Sequence, residues 1–134
     1  MEPHTVRPRR FDQAQEVADK FKDGQPVMTV GAAGGPRIIS QSLLTIVQHL
    51  DLEMSLFDAV ATPRFHHQWR PDQLMVEHNF DTDLMEQLER RGHKIKKLNY
   101  VGVTQAIAWD AQEGQFIGVH DPGVKGKAAG LGEK

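Results

Sequence analysis

Gly31-Ala32-Ala33-Gly34-Gly35-Pro36-Arg37-Ile38-Ile39 is a small-residue turn between two differently patterned segments. Before it, Pro26-Val27-Met28-Thr29-Val30 is short, apolar and β-branched, which reads as a buried strand. After it, Leu43, Ile46, Val47 and Leu50 recur at i, i+3, i+4 and i+7, so the next segment reads as an amphipathic helix. Pro36 suits the first helical position, where its missing N–H would have had no intrahelical partner. The turn therefore leaves the N–H groups of a glycine pair beside the positive end of a helix. Such a place suits an anion or a developing oxyanion. It comes without an obvious nucleophile.

Working outward, the bulk properties narrow the classes. A chain of 134 residues is the size of one compact domain with a modest core. Hydrophobic residues make up 39% and charged residues 25%, with negative mean hydropathy, as in a rather polar soluble domain. Net charge is −2, so electrostatics make no case for nucleic acid or an anionic membrane as partner. The absence of cysteine excludes disulfides, thiolate nucleophiles and cysteine-type zinc sites. No apolar run approaches the roughly 18 residues of a membrane span, and no signal peptide opens the sequence, so localisation is left open.

In chain order, residues 1–22 read as a charged arm or short helix, with the basic run Arg7-Pro8-Arg9-Arg10 as a solvated face. Phe11, Ala14, Val17, Ala18 and Phe21 fall at helical spacing, while Asp23-Gly24 could equally close a hairpin onto Pro26–Val30. Beyond the central helix, Ser55-Leu56-Phe57-Asp58 has capping-box spacing and opens a helix that ends before Pro63. Arg64 to Asp72 reads as a polar-aromatic loop, and Gln73–His78 as a strand. Asp81 caps a helix with Leu84 and Leu88 inward, a Phe80–Met85 staple and Gly92 as its stop. Lys94–Leu98 reads as an edge strand, and Val103–Trp109 with Phe116–Val119 as a β-hairpin. Residues 123–134 read as a flexible tail. The order β-α-α-β-α-β-β-β makes the fold class α+β.

Several of these segments resemble, in order and spacing, the C-terminal part of the gamma-glutamyltransferase (gamma-glutamyltranspeptidase) small subunit. They are Asp23-Gly24-Gln25-Pro26-Val27, Gly34-Gly35-Pro36-Arg37-Ile38-Ile39, Asp58-Ala59-Val60, Pro63-Arg64-Phe65-His66-His67-Gln68-Trp69, Gly92-His93-Lys94, Thr104-Gln105-Ala106-Ile107 and Asp121-Pro122. The resemblance covers residues 23–122. It implies an N-terminal nucleophile hydrolase fold, here a partial αββα sandwich. It further implies a precursor that cleaves itself to expose a threonine, which attacks a gamma-glutamyl carbonyl such as that of glutathione. The acyl group then passes to water or an amino acid, with no cofactor. By the same resemblance Gly34 and Gly35 supply the oxyanion-hole amides. Family members are often periplasmic or extracellular.

The departures are as informative. The family's threonine-pair nucleophile motif is absent from these residues, and Thr5, in Pro3-His4-Thr5-Val6, does not match it. The serine pair that helps hold the glutamyl carboxylate is also missing, and Gly123 follows Pro122 where the family tends to have arginine. The chain reads as the last third of an enzyme, a C-terminal fragment or degenerate homologue inactive alone, whose partner is the missing part of that subunit. The alternative reading is a non-catalytic α+β module that self-associates through an exposed sheet face. Among single residues, Arg37 on the first helical turn could reach a substrate carboxylate, though a structural salt bridge is the plainer expectation. Adjacent His66 and His67 would point to opposite faces of an extended strand, and zinc-type spacing is lacking, so no metal site is expected. Thr104 and Gln105 read as packing and hydrogen-bonding residues.

Overall fold

The computed structural model describes residues 18–22 and 24–130. Within them, strands β1 (Ala18–Lys22) and β2 (Gln25–Ala33) form an antiparallel hairpin around Gly24, whose φ of 77° suits the turn. The hairpin alternative therefore holds for residues 18–22. The helical spacing and basic run before them lie outside the described residues, as do the last four residues of the tail. Helix α1 (Ile38–Ile46) follows β2 through a 3-10 turn at Gly35–Arg37, with Pro36 in its first positions. It loosens into a wide turn at Val47–Asp51 before α2 (Leu56–Ala61). Ser55 caps α2: its hydroxyl accepts from the Asp58 amide at 3.0 Å and donates to the Asp58 carboxylate at 2.6 Å. The shorter acid thus reaches the hydroxyl, where a glutamate would reach back to the backbone.

The rest of the chain makes β3 (Phe65–His66), β4 (Leu74–Glu77), α3 (Thr82–Arg90), β5 (Ile95–Leu98), β6 (Val103–Asp110) and β7 (Gln115–His120). They assemble as two sheets, a four-stranded antiparallel one in the order β1-β2-β6-β7 and a three-stranded one in the order β3-β4-β5. In the second sheet β5 is an edge strand, parallel to β4, and α3 is the crossover between them. The class is α+β, and the observed order adds β1 and the two-residue β3 to the expected one. Arg64–Asp72 reads in sequence as a polar-aromatic loop. Phe65 and His66 pair with Val76 and Met75 nonetheless.

The alternation of β6 sets the layers. Thr104, Ala106 and Ala108 are buried, whereas Gln105, Ile107 and Trp109 are exposed. The buried side packs with Met28, Val30, Leu56 and Val60 under α1 and α2. On the opposite face of this sheet no second sheet lies among the described residues. Trp109 and Phe116 meet there edge to face, ring centres 5.0 Å apart, while both remain about half exposed. A second core of Leu74, Val76 and Met85, with Phe80, Leu88 and Ile95 against it, joins α3 to the smaller sheet.

Two helix faces differ from expectation. In α3 Met85 is buried and Leu84 is 42% exposed, so Leu84 is not an inward residue. In α1 the difference is larger, although Ile46 still packs against the core of the large sheet. Gln41, Ser42 and Thr45 are its buried residues, while Ile39 and Leu43 are 76% and 59% exposed. Apolar spacing correctly indicated a helix but not which face turns inward.

Candidate functional site

The glycine turn sits where β2 leaves the large sheet. Gly34 has φ 145° and Gly35 has φ 60°, conformations that a Cβ would strain. The two glycines look different ways. A Cβ on Gly35 would meet nothing within 4 Å, so that side is open. A Cβ on Gly34 would lie 3.1 Å from the Gln41 side-chain nitrogen and 3.4 Å from the Val101 carbonyl, so that side is packed. The turn is closed by Arg37, whose amide and Nε both donate to the Gly34 carbonyl, at 3.3 and 3.2 Å. Arg37 thus uses part of its guanidinium on the turn itself.

Beneath the turn lies a connected polar core. Arg64, 5% exposed, reaches Glu77 through Nε and Nη2 at 3.0 and 2.9 Å. Its Nη1 donates to Asp121 at 2.6 Å and to the Thr104 hydroxyl at 3.1 Å. One guanidinium faces two carboxylates, and backbone amides offset the excess negative charge. Glu77 accepts from the amides of Arg64 and Val101, and Asp121 from those of Thr104 and Gly123. The Thr104 hydroxyl donates to Gln41 Oε1 at 3.0 Å, and Gln41 Nε2 donates to the Ala33 and Arg37 carbonyls, both at 3.2 Å. An unbroken path of hydrogen bonds therefore runs from the Asp121-Pro122 segment to the two sides of the glycine turn. Gly102 makes room for it, since a Cβ there would fall 2.0 Å from Gln41 Nε2.

His66, the last residue of β3, and His67, just beyond it, do not converge. His66 is buried, its Nδ1 2.7 Å from the Ser40 hydroxyl and its Nε2 2.9 Å from Gln68 Oε1. The order serine–histidine–amide has the connectivity of a nucleophilic triad. Its third member is neutral, however, and cannot stabilise an imidazolium as a carboxylate would. The pair ties α1 to β3. The exposed His67 bonds Asp72 at 3.2 Å, beside Trp69, which carries the Arg70 guanidinium over its ring at 4.4 Å. Among the described residues no group of three or more His, Asp or Glu is placed to hold a metal ion.

Of the residues singled out from sequence, Gly34, Gly35 and Arg37 do come together in one turn. Thr104 and Gln105 divide between the two faces of β6, Thr104 joining the buried network and Gln105 the exposed side. Sequence reading missed Gln41, Glu77 and the pairing role of Arg64 and Asp121. The one available signal was a charged residue flanked by apolar ones, as in Leu74-Met75-Val76-Glu77, and this is weak.

Comparison with known proteins places the chain in a family. The family model described as gamma-glutamyltranspeptidase matches residues 17–131. The glutathione hydrolase proenzyme of Escherichia coli K12 is 39% identical over 101 residues, which are 75% of this chain and 17% of that protein. The chain thus spans less than a fifth of that relative. Among solved structures, the Helicobacter pylori gamma-glutamyltranspeptidase T380A mutant superposes with a TM-score of 0.76 at 31% identity, covering 83% of this chain and 61% of that one. The cephalosporin acylase of Bacillus halodurans gives 0.73 at 28% identity, over 84% of this chain and 22% of its own. With the family model matched across all the described residues, this chain belongs to the gamma-glutamyltranspeptidase family.

Proposed function

We propose that this chain supplies the oxyanion-binding side of a gamma-glutamyl acyl-transfer site, and that alone it does not turn over gamma-glutamyl compounds. The observation that carries the reading is the Gly34–Gly35 turn, open on the Gly35 side and opening a helix. Backbone amides held in such a turn stabilise the oxygen charge of a tetrahedral intermediate without reorganising during the reaction. The nucleophile must come from elsewhere, because the threonine-pair motif is missing from these residues. Its source is the remaining part of the subunit, whose amino-terminal threonine would attack with its own amine as base. The substrate class follows from the family, glutathione being its named example in the E. coli relative.

The test uses a chromogenic gamma-glutamyl anilide. The purified chain alone releases no anilide above background, and adding a polypeptide that carries the amino-terminal threonine segment restores release. In that restored enzyme, Gly34→Ala keeps the N–H but strains a φ of 145° and presses a methyl group against the Gln41 amide, so the displaced donor lowers kcat by roughly a hundredfold, as a lost oxyanion donor does. Release by the chain alone would refute the inactivity claim. A restored enzyme indifferent to Gly34→Ala would refute the oxyanion role.

A second reading is favoured by the open face of the large sheet. Ile107, Trp109 and Phe116 are each 42–54% exposed there, an apolar cluster of the kind that marks an interface. In the absence of a complement this face pairs with a second copy of the chain. Light scattering on the eluting peak should show a dimer that Trp109→Lys converts to monomer, whereas a monomeric parent chain would dispose of the reading.

A further inference from the structure

We infer that Gln41 is a positioning residue for the glycine turn and that Thr104, in turn, sets Gln41. The inference rests on reading Gly34 and Gly35 as oxyanion donors, but its geometry stands by itself. Gln41 is completely buried and hydrogen-bonded through all three of its polar positions. Its two amide protons go to the Ala33 and Arg37 carbonyls, the groups immediately before and after the Gly34-Gly35-Pro36 segment. The side chain therefore staples the two ends of the turn at a fixed separation, which the flexible glycines cannot do themselves.

The orientation of that amide is dictated by its partners. Reversed, it would set its oxygen against two carbonyls and its nitrogen against a hydroxyl already donated to by Arg64. Thr104 provides the matching lock. Its oxygen accepts from Arg64, which commits its proton to Gln41 Oε1. The fit is tight on the far side as well, since a side chain on Gly102 would occupy the place of the Gln41 amide. Glutamate at position 41 would keep the shape, lose both donors and bury a charge facing two carbonyls. An ordinary core glutamine would have no reason to bridge the turn, nor a neighbouring glycine to receive it.

The experiment is nuclear magnetic resonance on the full 134-residue chain without substrate. Its failure is therefore distinguishable from failure of the activity assay. Four signals are followed: the Gly34 and Gly35 amides, the Gln41 side-chain amide, and exchange of the Arg37 amide that closes the turn. Amides of Leu74–Glu77, in the other sheet, are the reference. In Thr104→Val the first three signals move and Arg37 exchange quickens roughly five- to thirtyfold, the effect of one or two weakened hydrogen bonds. Thr104→Ser, which keeps the hydroxyl, restores the parent values. Gln41→Glu, read on the Gly34, Gly35 and Arg37 amides, produces the larger change, and if it fails to fold the Thr104 pair decides. Unchanged turn signals in Thr104→Val, or exchange raised equally in the reference strand, would overturn the inference.

Discussion

Helices α1 and α3 have the same length, nine residues, and opposite interiors. α3 follows the ordinary rule: Met85 goes inward onto Leu74 and Val76, the charged residues stay in water, and Asp81 caps the start through the Leu84 amide at 2.7 Å. α1 turns Gln41, Ser42 and Thr45 inward and leaves Ile39 and Leu43 exposed. A buried polar group is stable when it finds a partner, and Gln41 and Thr45 do, Gln41 in the network under the turn and Thr45 in the Gln41 carbonyl at 2.9 Å, whereas the Ser42 hydroxyl has none. α3 is held by apolar burial, whereas α1 adds directed hydrogen bonds to the apolar contact that Ile46 makes with the large-sheet core. Directed bonds fix an orientation that apolar contacts leave adjustable, which is what the proposed presentation of amides by the turn requires.

This contrast can be broken or sharpened by four substitutions, each read as a change in urea-unfolding free energy. Arg64→Ala strands Glu77 and Asp121 in the interior without a cation and should cost about 3–5 kcal/mol. A loss below about 1 kcal/mol would mean that the network does not hold α1. Met85→Ala empties part of the smaller core and should cost about 2–4 kcal/mol, with the signals of the glycine turn unmoved. If that turn shifted as well, the two regions would not be independent. Asp81→Ala removes the α3 cap and should cost about 1 kcal/mol, confined to that helix as judged by amide exchange. Leu43→Gln should change stability by less than about 0.5 kcal/mol. A larger loss there would return Leu43 to the interior role that its helical spacing suggests.

Much of the secondary structure was legible because its signals are local. Ser55 and Asp81 cap because a hydroxyl or carboxylate sits within reach of amides only three residues away. The β6–β7 hairpin follows from alternation on either side of a turn. The glycine turn was legible for a related reason, since positive φ at Gly34 and Gly35 is a property of the residues themselves. The buried network was not. Thr104 lies 63 positions from Gln41, and Asp121 lies 57 from Arg64, so their pairing has no local trace. Phe65–His66 was missed as a strand because two residues pair only when β4 is there to receive them.

The sequence by itself determined the α+β class, the caps, the position of the glycine turn and the family resemblance, which the family-model match then showed. Those properties depend on residue type, short-range spacing and ordered motifs, and all three can be read along the chain. Only the tertiary structure decided which face of α1 is buried, that Arg64 links Glu77 to Asp121, and that Gln41 spans the turn. A helical period states that a helix has two faces, but which one is buried depends on whether distant partners meet its polar groups. Here Thr104, far along the chain, meets Gln41, and the polar face lies inward beneath the glycine turn.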